Sequence, residues 1–175
     1  MEIWDLYDRD RHLVSEKLNR GDAMPDGRYH LVVHVCIFNK KGELLIQQRQ
    51  KDKEGWPNLW DVSVGGSALA GEDSRAAAER ETKEELGLDI DLKEERPKMT
   101  LNFKYGFDDY WMIEKDVKLS ELMLQAEEVQ AVRWVNQSEL MALVNSGKFI
   151  PYIFIDKIFD IFRLEGAIVE KEVRI

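Results

Sequence analysis

Apolar and polar residues are grouped along this chain in a way that predicts mixed strands with a few helices. Residues 2–7 read as a short strand, ended by the polar turn Asp8-Arg9-Asp10. The polar stretch 17–27 holds Gly21, Pro25 and Gly27 and reads as a loop. His30–Phe38 (HLVVHVCIF) is rich in β-branched residues, and its near-continuous apolarity predicts a strand buried on both faces. Residues 43–48 form a second strand, paired with the first in a hairpin closed at Gly42. A polar loop covers 51–60, and a short strand at 61–64 runs into Gly65-Gly66.

Ser74–Leu86 reads as a helix, with Asp73 or Ser74 to cap its start and Gly87 just past its end. Strands follow at 88–92, 99–105, 109–117 and Val129–Val135. Asn136 with Glu139 three residues on is a capping box, opening a helix over 140–144 that stops near Gly147. Pro151 can start a last helix running to Leu164, ended by Gly166, and the alternating tail 167–175 suits an edge strand in a homodimer. The order lacks a regular βα alternation. It indicates an α/β or α+β sandwich with the sheet between helices, in one domain over residues 1–175.

Composition narrows the classes. Hydrophobic residues make up 44%, enough for a sizeable core, and the net charge of −9 argues against nucleic acid or an anionic membrane as partner. A phosphorylated small molecule remains open as substrate, because a bound divalent metal reverses the local field. Cys36 is the single cysteine, so no intramolecular disulfide can form. The start lacks a basic segment followed by an apolar one, and no apolar run reaches membrane-spanning length. The expectation is a cytoplasmic protein.

The chemistry concentrates between Gly66 and Leu88. Glu81, Glu84 and Glu85 stand at i, i+3 and i+4 of the predicted helix and share one face. Their axial offsets, about 4.5 and 6 Å, let the side chains converge on a cation. Without one the face is unfavourable: two charges about 6 Å apart repel by roughly 3 kcal/mol at an effective dielectric of about 20. Glu84 and Glu85 also lie in the last turn, where the helix dipole disfavours anions. Oxygen-only ligands point to Mg²⁺ or Mn²⁺ rather than zinc. Gly65 and Gly66 let backbone approach a ligand closely, and a carbonyl there can face the metal. Arg80, four residues before Glu84, can orient it.

This segment resembles the Nudix box, G-x5-E-x7-R-E-U-x-E-E-x-G-U with U apolar, over residues 66–88. The one departure is Thr82 at an aliphatic position; threonine is nearly isosteric with valine, and no functional loss is expected. The resemblance implies an α/β/α sandwich with a mixed sheet. It implies metal ligation by Glu81, Glu84, Glu85 and the Gly66 carbonyl, and attack by water at phosphorus of a nucleoside-diphosphate-type or other organic diphosphate. Nudix enzymes often take a further carboxylate from a late loop as ligand or base. Glu127 and Glu128 are the candidates here, beside Glu84 as proton acceptor and Arg80. Glu72 either caps the helix or joins the metal's water shell.

Other residues have two readings. Arg49, ending its strand, either touches a phosphate or is solvated. Trp56, Trp60, Tyr105, Phe107, Tyr110 and Trp111 can stack a ring, or fill the core. His30, His34 and Cys36 share a strand face, but the histidines lie about 13 Å apart, too far for one ion. Cys36 reads as a buried small hydrophobe. The stretch GWPNLWDVSVGG (55–66) and Arg28-Tyr-His-Leu are similar to isopentenyl-diphosphate isomerase, which shares the Nudix fold; His30 matches a metal-binding histidine there. The chain departs from that family at Gly65, where the family has a cysteine, and at Ser67 and Ala23, where the family has histidines. Hydrolase is therefore the expectation and isomerase the alternative. A non-catalytic diphosphate-sensing module is disfavoured because all the box glutamates are present.

Overall fold

A computed structural model describes residues 2–164. The tail expected to form an edge strand, and Gly166, lie outside the described residues. Strands β1 (Ile3–Tyr7) and β2 (Leu13–Asn19) form a two-stranded sheet of their own. The larger, seven-stranded sheet comprises β3 (His30–Phe38), β4 (Leu44–Arg49), β5 (Trp60–Asp61), β6 (Val64–Ser67), β7 (Met99–Phe103), β8 (Gly106–Glu114) and β9 (Val129–Val135). Helices are α1 (Ser74–Leu86), α2 (Gln137–Asn145) and α3 (Ile158–Arg163).

Strand β3 is the axis of the fold. It runs parallel to β8 from His30↔Gly106 to Phe38↔Glu114, and antiparallel to β6 with His34↔Gly65 and Val33↔Gly66. Its hairpin with β4 registers only at Phe38↔Leu44. From there β4 turns to β5 and β9 instead. Ser63, fully buried, spans the opening: its hydroxyl accepts from the Ile37 amide (2.9 Å) and donates to the Leu45 carbonyl (2.6 Å).

As expected from its apolarity, β3 is covered on both faces. Leu31, Val33, Val35 and Ile37 pack with Ala77, Ala78 and Leu86 of α1, while Cys36 and Phe38 pack with Leu140, Ile158 and Phe159. The sheet thus lies between α1 on one side and α2 with α3 on the other, the expected sandwich. Helix α1 is capped by Asp73, whose carboxylate accepts from the Ala76 amide (2.8 Å), and ends at Gly87 in the left-handed region. Thr82 returns its hydroxyl to the Ala78 carbonyl (2.7 Å), so its polarity costs little where an aliphatic residue is usual. The capping box of Asn136 and Glu139 is formed in both directions.

Several expected boundaries move. Leu13–Asn19 is a strand, overlapping the start of the expected 17–27 loop: the polar residues of β2 face solvent and only Leu18 is buried. Residues 88–92 form no strand. Leu88, Ile90 and Leu92 do pack on the core, but no strand pairs with them, and the Leu92 amide goes to the Glu79 side chain (2.8 Å). The 61–64 strand divides into β5 and β6 because Ser63 sits in the opening between β3 and β4. Strand β8 starts at Gly106, earlier than Asp109, and ends at Glu114 with its partner β3. The last helix starts after a 3₁₀ turn at Ile155–Lys157, not at Pro151.

Arg11 fastens the first hairpin to the sheet. In the left-handed region (φ 65°), it donates both terminal nitrogens to the Asp109 carboxylate, which also accepts from Thr100 (2.6 Å). Burial pulls the Asp109 carboxyl up, but Arg11, Ser74 and Thr100 outweigh it and hold it below its ordinary value. Asp109→Asn is expected to destabilise by about 2–3 kcal/mol, toward the low end for half of a buried pair because Arg11 keeps access to water. That corresponds to a fall of about 5–10 °C in Tm for a chain of this size. Because the folded value is depressed, the stabilisation is full above pH 3.8 and is lost as pH falls through the folded value. The two melting temperatures should converge in strong acid, and a gap independent of pH would remove the charge from the explanation.

Candidate active site

A polar cleft of 280 Å³ lies where α1, β6 and the end of β4 meet. From α1 come Arg80, Glu81, Glu84 and Glu85, from β6 Gly65 and Gly66, and from β4 Arg49. Glu128, just before β9, lines it too. The cleft therefore brings together the three glutamates of α1, Arg80, the two glycines, Arg49 and Glu128. Glu127 instead borders a separate hollow with Lys51 and Asp52.

The carboxylates differ in environment. Glu85 is only 5% exposed and its Oε2 accepts from Gln47 Nε2 (2.7 Å). Burial, and then the charge of Glu81, raise its pKa well above the ordinary range. Burial likewise pushes Glu81 up to about 7, against the pull of Arg80. Glu84 is half exposed and takes a hydrogen bond from Arg80 Nη1 (2.9 Å). The same guanidinium reaches Glu81 (3.0 Å), both oxygens of Glu72 (2.7 and 2.9 Å) and the Ser67 carbonyl (3.0 Å). Arg80 thus ties the helix to β6. Glu72 is neither the helix cap nor a free carboxylate: it accepts from the Leu69 amide and Arg80. The expected orienting pair of Arg80 with Glu84 is present.

At Gly66 a Cβ would stand 2.1 Å from the Glu81 carboxylate, so any side chain there would push the Glu81 head group out of its present position. On the other face of β6, a Cβ at Gly65 would meet the His34 ring at 2.8 Å. Glu128 is paired with Lys53. As the side chains stand, no three acidic, histidine or cysteine groups among the described residues converge tightly enough to hold an ion. Arg80 holds one oxygen of Glu81 and one of Glu84, and Gln47 holds one of Glu85. The donor set nonetheless fits a hard cation: three neighbouring carboxylates, one buried and one half-buried, both with raised pKa, beside a strand that approaches them closely.

Residues that sequence reasoning missed include Gln47, Lys53, Arg20 and Glu2, all at or beside the cleft. Gln47 had a signal, a polar residue in the apolar run of β4. Arg20 and Glu2 had none, since only the docking of the first hairpin brings them here. None of the six candidate stacking rings lines the cleft; Phe107, Tyr110 and Trp111 are core, and Trp56 and Tyr105 are exposed elsewhere. His30 stacks on Trp4 (4.4 Å) and burial lowers its pKa to about 4, His34 pairs with Asp108, and burial raises the Cys36 thiol. The histidine–cysteine trio forms no metal site. A larger hollow of 710 Å³ lies at the opposite end of α1, around Arg11, Arg75 and Arg96, away from the carboxylates.

A family model described as NUDIX domain matches residues 28–154. A protein of Listeria innocua, described as an uncharacterized Nudix hydrolase, is 59% identical over 92% of this chain and 95% of its own. Isopentenyl-diphosphate Delta-isomerase 2 of Photorhabdus laumondii is 30% identical over 91% of each chain. A crystal structure of a Deinococcus radiodurans protein superposes with a TM-score of 0.73 and 25% identity, over 91% of this chain and 98% of that one.

Proposed function

The chain belongs to the Nudix family and is a hydrolase of diphosphate compounds, and from that premise we propose that it uses Mg²⁺ or Mn²⁺ to cleave a nucleoside-diphosphate-type or other small organic diphosphate. The observation that carries the reading is the row Glu81, Glu84 and Glu85 lining one cleft with Gly66 and Arg80. Glu81, Glu84, Glu85 and the Gly66 carbonyl would hold the metal. When bound, the metal supplies charge neutralisation at the phosphoryl oxygens and a water of lowered pKa.

The remaining roles fall to the chain itself. Arg80 aims Glu84 and fixes α1 against β6. Glu84 and Glu128 are the two carboxylates placed to accept the proton of the attacking water. Arg49 and Lys53 face the cleft as cations for the diphosphate oxygens, and Gly65 leaves its backbone open to the substrate. As Lys53 already pairs with Glu128, substrate binding that draws Lys53 away frees Glu128 to act as base.

Carbon chemistry, as in the isomerase relatives, needs an acid and a base flanking a carbon chain, and Gly65 offers no titratable group where that family has its cysteine. The test is a panel of diphosphate compounds assayed for phosphorylated products with Mg²⁺ and Mn²⁺, alongside isopentenyl diphosphate in heavy water. The expected result is release of product from at least one nucleoside-diphosphate-type compound and no deuterium in isopentenyl diphosphate. Deuterium uptake would overturn the reading, because only proton exchange at carbon causes it.

A further inference from the structure

Behind the cleft, in the opening between β3 and β4, polar side chains form a continuous run of which only the last member, Arg49, has a role above. The Tyr110 hydroxyl donates to Asp108 Oδ2 (2.8 Å), and Asp108 Oδ1 meets His34 Nδ1 (2.7 Å). His34 Nε2 lies 3.2 Å from the Tyr152 hydroxyl, which donates to Asp61 Oδ1 (2.7 Å). Asp61 Oδ2 faces Arg49 Nη1 at 3.6 Å. The Val62 amide also holds Asp61, and Arg49 Nε donates to the Gly55 carbonyl (3.0 Å). The run therefore starts in the core and ends on the one cleft cation it touches.

Its rings are locked. His34 stacks on Tyr110 (4.7 Å, 6° between planes) and meets Tyr152 edge-on (5.6 Å). Asp61 is only 3% exposed. Burying two carboxylates, an imidazole and two phenols is no route to stability, since an apolar filling of the same volume serves as well or better. Such a run is justified when its end must be held in place. Arg49 needs that. Its side chain is long and loses much rotamer freedom when fixed, and its contact with Asp61 is too long to fix it unless Asp61 is itself immobile.

We propose that Tyr152, backed by His34, is a positioning residue that fixes Asp61 as the counter-charge aiming Arg49 at a substrate phosphate. This rests on reading the cleft as a diphosphate site. Tyr152 touches Asp61 and His34 and acts only through Arg49.

The test is a double-mutant cycle on the full chain in Mg²⁺, with inorganic pyrophosphate as the binding probe and the best substrate of the panel for kinetics. Tyr152→Phe is expected to weaken pyrophosphate binding by about fivefold, less than the full worth of a hydrogen bond to a carboxylate because it reaches the probe only through Arg49. It should raise KM by a similar factor while kcat stays within about twofold. Arg49→Ala should weaken binding further, and in that background Tyr152→Phe should change nothing, because its lever is gone. Equal effects of Tyr152→Phe with and without Arg49 would overturn the proposal, as would a loss of Tm with binding and KM untouched. Coupled binding effects without turnover of any substrate would leave the positioning role standing and remove the hydrolase reading. Absence of pyrophosphate binding by the unaltered chain would overturn both.

Discussion

Replacing Glu85 with glutamine is expected to lower turnover by on the order of a thousandfold while leaving the protein folded. The position is nearly inaccessible to water, and its carboxyl feels the charge of Glu81, one turn back on the same helix face. A glutamine keeps the volume and can still accept the hydrogen bond of Gln47 through its amide oxygen, so packing is preserved. What it loses is the negative charge, and with it the ligand. Removing that charge also removes repulsion with Glu81, so metal-free Glu85→Gln should melt no lower than the unaltered protein, and higher if the repulsion dominates. Turnover and melting read together settle the matter. A folded variant with near-normal turnover would sink the assignment, and a variant that fails to fold would mean that Glu85 is structural instead.

Chelation should have the other large effect. EDTA is expected to abolish activity, and Mg²⁺ or Mn²⁺ to restore it. Binding of the cation to the folded form alone, at about one hundred times its dissociation constant, stabilises by about 2.7 kcal/mol. For a chain of this size that is a rise of about 5–10 °C in Tm. The rise should be absent from Glu85→Gln, since a cation bound anywhere else would stabilise both proteins alike. Activity that survives EDTA, with a Tm indifferent to millimolar Mg²⁺, would contradict a carboxylate metal site.

The two experiments bear on different parts of the cleft from the Tyr152 cycle. Glu85 and the cation concern the helix wall, whereas Arg49 on β4 stands on the other side, with Asp61 of β5 and Tyr152 behind it. Loss of metal-dependent melting in Glu85→Gln combined with an intact Tyr152–Arg49 coupling would show the two walls to be energetically separate.

Much of this protein was readable along the chain. The spacing of Glu81, Glu84 and Glu85 places them on one helix face whatever the helix packs against, and Asn136 and Glu139 close their capping box within one turn. The apolar run of β3 implied burial on both sides, and both sides are covered. These features depend on contacts a few residues apart, which backbone geometry dictates. The same local logic erred at 88–92, where alternation reported burial correctly but a strand also needs a neighbour to pair with. The other wall of the site was hidden for a related reason. Gln47 meets Glu85 across 38 positions, Lys53 meets Glu128 across 75, and Tyr152 meets Asp61 across 91. No period or motif links such residues. Lys53 and Glu128 meet because β4 and β9 pair as far as Arg49↔Val129, and Tyr152 meets Asp61 because β3 leaves β4 after one registered pair and takes β6 on that edge, opening a wedge that side chains from distant segments must fill; both are properties of the packed sheet rather than of any segment within it.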